Sequence, residues 1–166
     1  MDPTPHQRGK LDKRNMTSVP PVEIMSRVGL AAEPTPIGPP RVLIVDDDAD
    51  ILAVLEMIFT DDGFLTVCCD KSEVALAELS ANPIQLLITD LRLVGGTGLD
   101  LIRQLRALYD GVPGVIVLTA VRPTHVGIEP DQIAQLNARV IAKPFDIEDL
   151  LSTARTLTGW PGHPLP

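Results

Sequence analysis

The stretch Val42-Leu43-Ile44-Val45-Asp46-Asp47-Asp48 decides how this chain is read: four apolar residues in a row, then three carboxylates. An unbroken apolar run of that length suits a strand covered on both faces, as a parallel sheet requires. Leu86-Leu87-Ile88 and Val115-Ile116-Val117-Leu118 repeat the pattern, and Leu65-Thr66-Val67-Cys68 and Val140-Ile141-Ala142 carry it more weakly. Helical stripes lie between these runs. The first is Ile51, Leu52, Leu55, Ile58 and Phe59, ending before an Asp61-Asp62-Gly63 turn; the second is Val74, Ala75 and Leu79. Leu101, Ile102, Leu105 and Leu108 form a third, opening after Gly98, and Ile147, Leu150, Leu151, Ala154 and Leu157 form the last. Asp48 and Asp50 are expected to cap the first helix, Asp70 the second and Asp146 the last. Between Val121 and Asn137 the pattern weakens, and only a short helix over residues 131–136 is expected. Five strand–helix units in succession, joined by right-handed crossovers, predict an α/β doubly wound five-stranded parallel sheet with helices on both faces, in three layers.

Proline marks the limits of that domain. Eight of the 16 prolines fall in residues 1–40, three fall in the last eight, and all five aromatics lie beyond residue 40. A segment rich in proline and empty of aromatics cannot offset its ordering entropy. Residues 1–40 are therefore expected to be a disordered extension, 41–158 the folded domain and 159–166 a flexible tail. The most apolar part of the extension, Val22 to Ala32, is broken by Glu23 and Arg27, which argues against a secretory signal. No run approaches the ~20 apolar residues of a membrane span. With 14 Lys+Arg against 22 Asp+Glu and a net charge of -8, direct binding to nucleic acid or to an anionic membrane is not expected. The cysteines, Cys68 and Cys69, are adjacent and could pair only under strain, which points to a reducing, cytoplasmic setting.

In a doubly wound sheet the ligand site lies beyond the carboxyl ends of the strands. There the sequence places Asp46 and Asp47, then Asp90, then Thr119-Ala120, then Lys143-Pro144-Phe145. Three carboxylates after the first strand would repel a pyrophosphate where a dinucleotide fold needs glycines, and no Walker-type Gly-Lys-Ser/Thr sequence exists. Crowded carboxylates call for a cation, and magnesium takes carboxylates while keeping positions for phosphoryl oxygens. With Asp46 and Asp47 neutralised, Asp90 can stay ionised and attack phosphorus. Transfer then needs charge on three equatorial oxygens, supplied by magnesium, the Lys143 ammonium and the Thr119 hydroxyl. Asp46 and Asp48 also form an Asp-x-Asp pair like that of aspartyl phosphohydrolases, but Asp50 stands where those enzymes resemble Asp-x-Asp-x-Thr/Val.

At these residues the sequence resembles the receiver domain of two-component response regulators. Val42 to Asp47, Leu87-Ile88-Thr89-Asp90, Gly98 eight residues past Asp90, Val117 to Ala120 and Ala142-Lys143-Pro144-Phe145 carry the resemblance, which spans about residues 41–158. It implies a flavodoxin-like fold and a signalling domain rather than an enzyme, read as a stand-alone, CheY-like relay. Asp90 would accept a phosphoryl group from the phosphohistidine of a sensor histidine kinase or histidine phosphotransfer protein. Asp46, Asp47, Asp90 and the backbone carbonyl of Arg92 would hold magnesium, and Lys143 and Thr119 would contact the phosphoryl group. The Lys143–Pro144 bond would be cis. The face made by the fourth helix, fifth strand and fifth helix would then signal to a downstream effector protein. His6, His125 and His163 need no role in this chemistry. Two positions depart from the family pattern: Val94 replaces a proline four residues after Asp90, and Val140 replaces an aromatic residue three before Lys143. They raise an alternative, a pseudo-receiver that binds its partner without regulated phosphorylation.

Overall fold

A computed structural model describes residues 38–108, 113–122, 124 and 130–162. All of them belong to one compact unit, Thr35–Pro166. The extension expected over residues 1–40 lies outside the described residues except for Gly38, Pro39 and Pro40, and so do His6, His125, His163 and the last four residues of the expected tail.

Five parallel strands form one sheet: β1 (Arg41–Val45), β2 (Leu65–Cys69), β3 (Leu86–Asp90), β4 (Gly114–Thr119) and β5 (Arg139–Ala142), in the order β2-β1-β3-β4-β5. This is the doubly wound, flavodoxin-like α/β order, whose chain reverses direction across the sheet beside β1 and β3. The three strong apolar runs are the central strands and the two weak ones are the edges. An edge strand contacts fewer neighbours, so Leu65 and Val140 stay 51% and 39% exposed while Val42 to Val45 are wholly buried. Side chains alternate between the faces as a pleated strand demands. Leu43, Val45, Leu87, Val115 and Val117 join one core layer with Ala75, Leu79, Leu101, Ile102 and Leu105. Val42, Ile44, Leu86, Ile88, Ile116 and Leu118 join the other with Leu55, Phe59, Leu150 and Ala154.

The helices are α1 (Ala49–Asp61), α2 (Ser72–Ala81), α3 (Gly98–Leu108), α4 (Pro130–Gln135) and α5 (Ile147–Thr158). Asp48 caps α1, accepting from the Asp50 and Ile51 N–H groups, and Asp146 caps α5 in the same way. Asp50, also expected to cap α1, lies inside its first turn, and two further details differ from the sequence reading. The residue preceding α2 is Lys71, with no side-chain cap bond, and Asp70 lies one residue too early to reach the free N–H groups. Helix α3 begins at Gly98 itself, because the Thr97 hydroxyl accepts from the Asp100 N–H at 3.2 Å and donates to its carboxylate at 2.8 Å. Packing continues into the first described residues beyond Thr158. Gly159 takes the left-handed conformation that ends α5, with φ 69°, and turns Trp160 back onto Phe64, ring centroids 6.4 Å apart.

Cys68 and Cys69 sit on β2 with side chains directed to opposite core layers. Burial first, then neighbouring acids, pushes both thiols up to about 11.

Candidate functional site

Because the strands are parallel, their carboxyl ends meet along one edge of the sheet. Val45 pairs with Thr89, Asp90 with Leu118 and Thr119 with Ala142. One step further along β1 and β5 stand Asp46 and Lys143. Asp46, Asp47 and Asp90 thereby each bring a carboxylate oxygen within 4.8 Å of the others. Lys143 Nζ donates to Asp46 Oδ2 at 2.5 Å and lies 3.8 Å from Asp90 Oδ1. Its backbone N–H donates to the Thr119 carbonyl at 2.8 Å, and the Lys143–Pro144 peptide is cis. One ammonium thus meets two of the three carboxylates, and the cluster keeps a surplus of negative charge.

The three acids are not equivalent. Asp46 is 1% exposed and accepts from the Asp48 N–H at 3.0 Å, whereas Asp47 is open to solvent. Asp48 is turned away as the α1 cap, so the Asp-x-Asp pair does not form one site. Asp90 Oδ1 accepts from the Leu91 N–H at 2.7 Å, and the Arg92 N–H adds a second bond. Burial raises the Asp90 pKa above its ordinary value and Asp46 adds to the rise; Lys143 and the two N–H bonds only partly oppose them.

That direction sets a stability prediction. A carboxyl whose folded pKa is raised costs stability once both states are ionised, and the cost is relieved as pH falls through the folded value. Metal-free Asp90→Asn is therefore expected to melt a few degrees above the wild type at pH 7, about 1 kcal/mol for two carboxylates at this spacing partly offset by Lys143. The gap should close as pH falls from the raised value toward ~4. Thermal melts across that range check it, and a variant melting below the wild type at pH 7 contradicts it.

Thr119 is 4% exposed, and its hydroxyl donates to the Val121 carbonyl at 2.7 Å while accepting from the Val121 N–H at 3.2 Å. It stands at the site but is folded into its own loop. Beside it lies a cleft of about 420 Å³ lined by Asp47, Asp90, Arg92 and Val94 on one side and Thr119, Ala120 and Val121 on the other. Arg92 pairs with Thr97 in a two-residue antiparallel ladder that forms one wall. Lys143, Asp46, Asp47, Asp90, Thr119 and Arg92 are thus gathered at one edge of the sheet. Two contributors escaped the sequence reading. Val121 holds the Thr119 hydroxyl with backbone atoms that no side-chain pattern announces. Thr89, buried and bonded to the Asp90 carbonyl, left one signal: a polar residue closing the run Leu86-Leu87-Ile88.

Comparison with known proteins agrees with this geometry. Residues 42–155 match the family model of the response regulator receiver domain. The chain is 32% identical over 126 residues to the transcriptional regulatory protein AruR of Pseudomonas aeruginosa, covering 71% of this chain and 49% of that protein. It is 30% identical over 120 residues to the response regulator ArlR of Staphylococcus epidermidis, covering 70% and 52%. The chain thus spans about half the length of these two relatives. Among solved structures, a response regulator receiver protein from Pseudomonas putida superposes with a TM-score of 0.64 at 30% identity, covering 72% of this chain and 98% of that one. A CheY-like receiver domain from Methanospirillum hungatei shares the fold with a TM-score of 0.67, covering 74% and 95%. Receiver domains are signalling modules, and among the described residues no helix is long and apolar enough to cross a membrane. With the five-stranded order, the acid cluster and a family match over most of its length, this chain belongs to the response regulator receiver domain family.

Proposed function

We propose that Asp90 accepts a phosphoryl group from the phosphohistidine of a sensor histidine kinase or histidine phosphotransfer protein, in a magnesium-dependent reaction. The observation that carries this reading is the meeting of Asp46, Asp47 and Asp90 within 4.8 Å, with Lys143 paired to Asp46 and close to Asp90. Magnesium fits this donor set, which is all hard oxygen, carries surplus negative charge and opens on a cleft. Asp46, Asp47, Asp90 and the Arg92 backbone carbonyl would hold it. When bound, the ion neutralises the acids and draws charge from the phosphoryl oxygens.

The chain's own residues do the rest. A carboxylate oxygen of Asp90 forms the new P–O bond as the donor's P–N bond breaks; the electron pair leaves on the imidazole nitrogen, which takes a proton from solvent. The Leu91 and Arg92 N–H groups hold the carboxylate in place during attack. Lys143, anchored by Asp46, faces the charge on one phosphoryl oxygen. Thr119 gives up the Val121 carbonyl and donates to another, which moves the following loop and shifts a pre-existing equilibrium. A downstream effector protein then reads the face formed by α4, β5 and α5. The acyl phosphate is the signal, so the domain acts as a relay rather than as an enzyme with turnover.

Incubation with a small acyl phosphate and magnesium, followed by intact mass measurement, tests the reading. One phosphoryl group should appear on the wild type, and none on Asp90→Asn or in the presence of chelator. An adduct that persists in Asp90→Asn sinks it. The pseudo-receiver alternative is favoured by Val94, 67% exposed, and by Val140 in place of an aromatic ring. Partner affinity unchanged by phosphorylation would select it.

A further inference from the structure

The peptide joining Asp90 to Leu91 is held at both ends. Its carbonyl accepts from the Thr89 hydroxyl at 3.0 Å, and its N–H donates to Asp90 Oδ1 at 2.7 Å while also facing the Leu118 carbonyl at 3.0 Å. On the carbonyl side Gly98 approaches so closely that a Cβ there would lie 2.1 Å from the Asp90 oxygen and 2.9 Å from Thr89 Oγ1. The Gly98 N–H donates to the Leu91 carbonyl at 3.0 Å. A peptide unit is planar, so any rotation of its carbonyl rotates its N–H by the same angle. That N–H is the group that orients the Asp90 carboxylate. Thr89 is wholly buried, so no water can replace its hydroxyl as donor.

We propose that Thr89 and Gly98 are positioning residues for the acceptor: they clamp the Asp90–Leu91 peptide and so fix the direction of the Asp90 carboxylate through that peptide rather than by touching it. The inference rests on Asp90 as phosphoacceptor. Thr89 supplies the bond that sets the angle. Gly98 supplies the space, since any larger residue would push the carbonyl, and with it the N–H, out of line. A purely space-filling Thr89 would be replaced without consequence by valine, which matches its shape and lacks only the hydroxyl.

Thr89→Val in the full chain tests this. Phosphorylation by a small acyl phosphate at saturating magnesium should slow roughly ten- to a hundredfold, the usual cost of a small misplacement of a reacting group. Thr89→Ser, which restores the hydroxyl, should recover most of the rate. In the metal-free protein the Leu91 amide proton should shift upfield in Thr89→Val and return in Thr89→Ser, a readout independent of phosphorylation. Should the valine variant fail to fold, Thr89→Ala removes the same hydroxyl without the second methyl's constraint and carries the comparison. A folded Thr89→Val with the wild-type rate and an unmoved Leu91 resonance overturns the clamp, as does a slow variant that serine does not rescue. If the wild type itself forms no adduct, Asp90 as acceptor fails and the Leu91 resonance alone decides for or against the clamp.

Discussion

Lys143→Met should slow phosphoryl transfer to Asp90 by roughly 100- to 1,000-fold while tightening the hold on a divalent cation. The two effects have opposite signs because the ammonium does two things. In the proposed reaction it would stabilise charge that develops on the phosphoryl oxygens, and removing one such group from a preorganised site commonly costs that factor. It also occupies the acid cluster, 2.5 Å from Asp46 Oδ2 and 3.8 Å from Asp90 Oδ1, and so competes with an incoming cation. At about 4 Å and an effective dielectric of ~20, each such charge pair is worth ~4 kcal/mol before desolvation, so the competition is felt. The metal-free variant should also lose stability, because Asp46 is left buried beside two other acids with no counter-charge. Millimolar magnesium should return much of that loss by binding the folded state alone. Calorimetric titration with magnesium, melts with and without it, and adduct formation by mass together separate the terms. Weaker cation binding in Lys143→Met would mean that the lysine builds the ion site rather than competing for it.

The same residues show why some of this molecule could be read in advance. Asp46, Thr119 and Lys143 directly follow apolar runs, Asp47 and Asp90 come one residue later, and a parallel sheet has one edge where all such residues gather; crossover handedness then sets the face that each helix covers. The edge strands were faint because Leu65 and Val140 meet solvent, and an exposed position imposes less apolar character. Asp70 was misplaced by one residue, since a cap depends on where the first turn closes rather than on the nearest acid. The hidden features are those in which distant chain positions meet. Nothing in an Asp61-Asp62-Gly63 turn reveals that Asp62 faces Arg155, 93 residues away. Nor does a threonine before Asp90 reveal which carbonyl its hydroxyl will find. Departures at Val94 and Val140 were plain in the sequence, and both side chains remain substantially exposed, Val94 on the wall of the cleft and Val140 on the edge strand β5. Neither belongs to the Asp46–Asp47–Asp90 cluster.

Asp62→Ala should destabilise the domain by roughly 2–3 kcal/mol and leave phosphorylation of Asp90 unchanged. Asp62 follows the last turn of α1, at the opposite end of the sheet from the acid cluster, with its side chain 7% exposed. Arg155 of α5 grips it in a fork, Nε to Oδ2 at 3.0 Å and Nη2 to Oδ1, while Nη1 donates to Glu148 Oε1 at 2.9 Å. These bonds, led by the one to Asp62, raise the Arg155 pKa above its ordinary value. The Trp160 indole N–H donates to the Asp62 carbonyl at 3.0 Å and continues an edge-to-face series, with Phe59 and Phe64 centroids 5.2 Å apart. Removing the carboxylate strands a half-buried guanidinium; the full 3–5 kcal/mol of a broken buried pair is reduced because Arg155 keeps 28% exposure and Glu148. At ~3–6 °C per kcal/mol the melting temperature should fall by about 6–18 °C. Arg155→Lys should lose much of the same stability despite keeping its charge, because an ammonium cannot reproduce the fork. Asp62→Ala combined with Arg155→Met should cost less than the two single changes summed, since each single change orphans the other partner. Trp160, the one tryptophan in the chain, reports the melt from inside the clasp. An Asp62→Ala variant that melts with the wild type would show the fork to be an ornament of the surface. A variant that melts early and also loses phosphorylation would show that the two ends of the sheet are coupled.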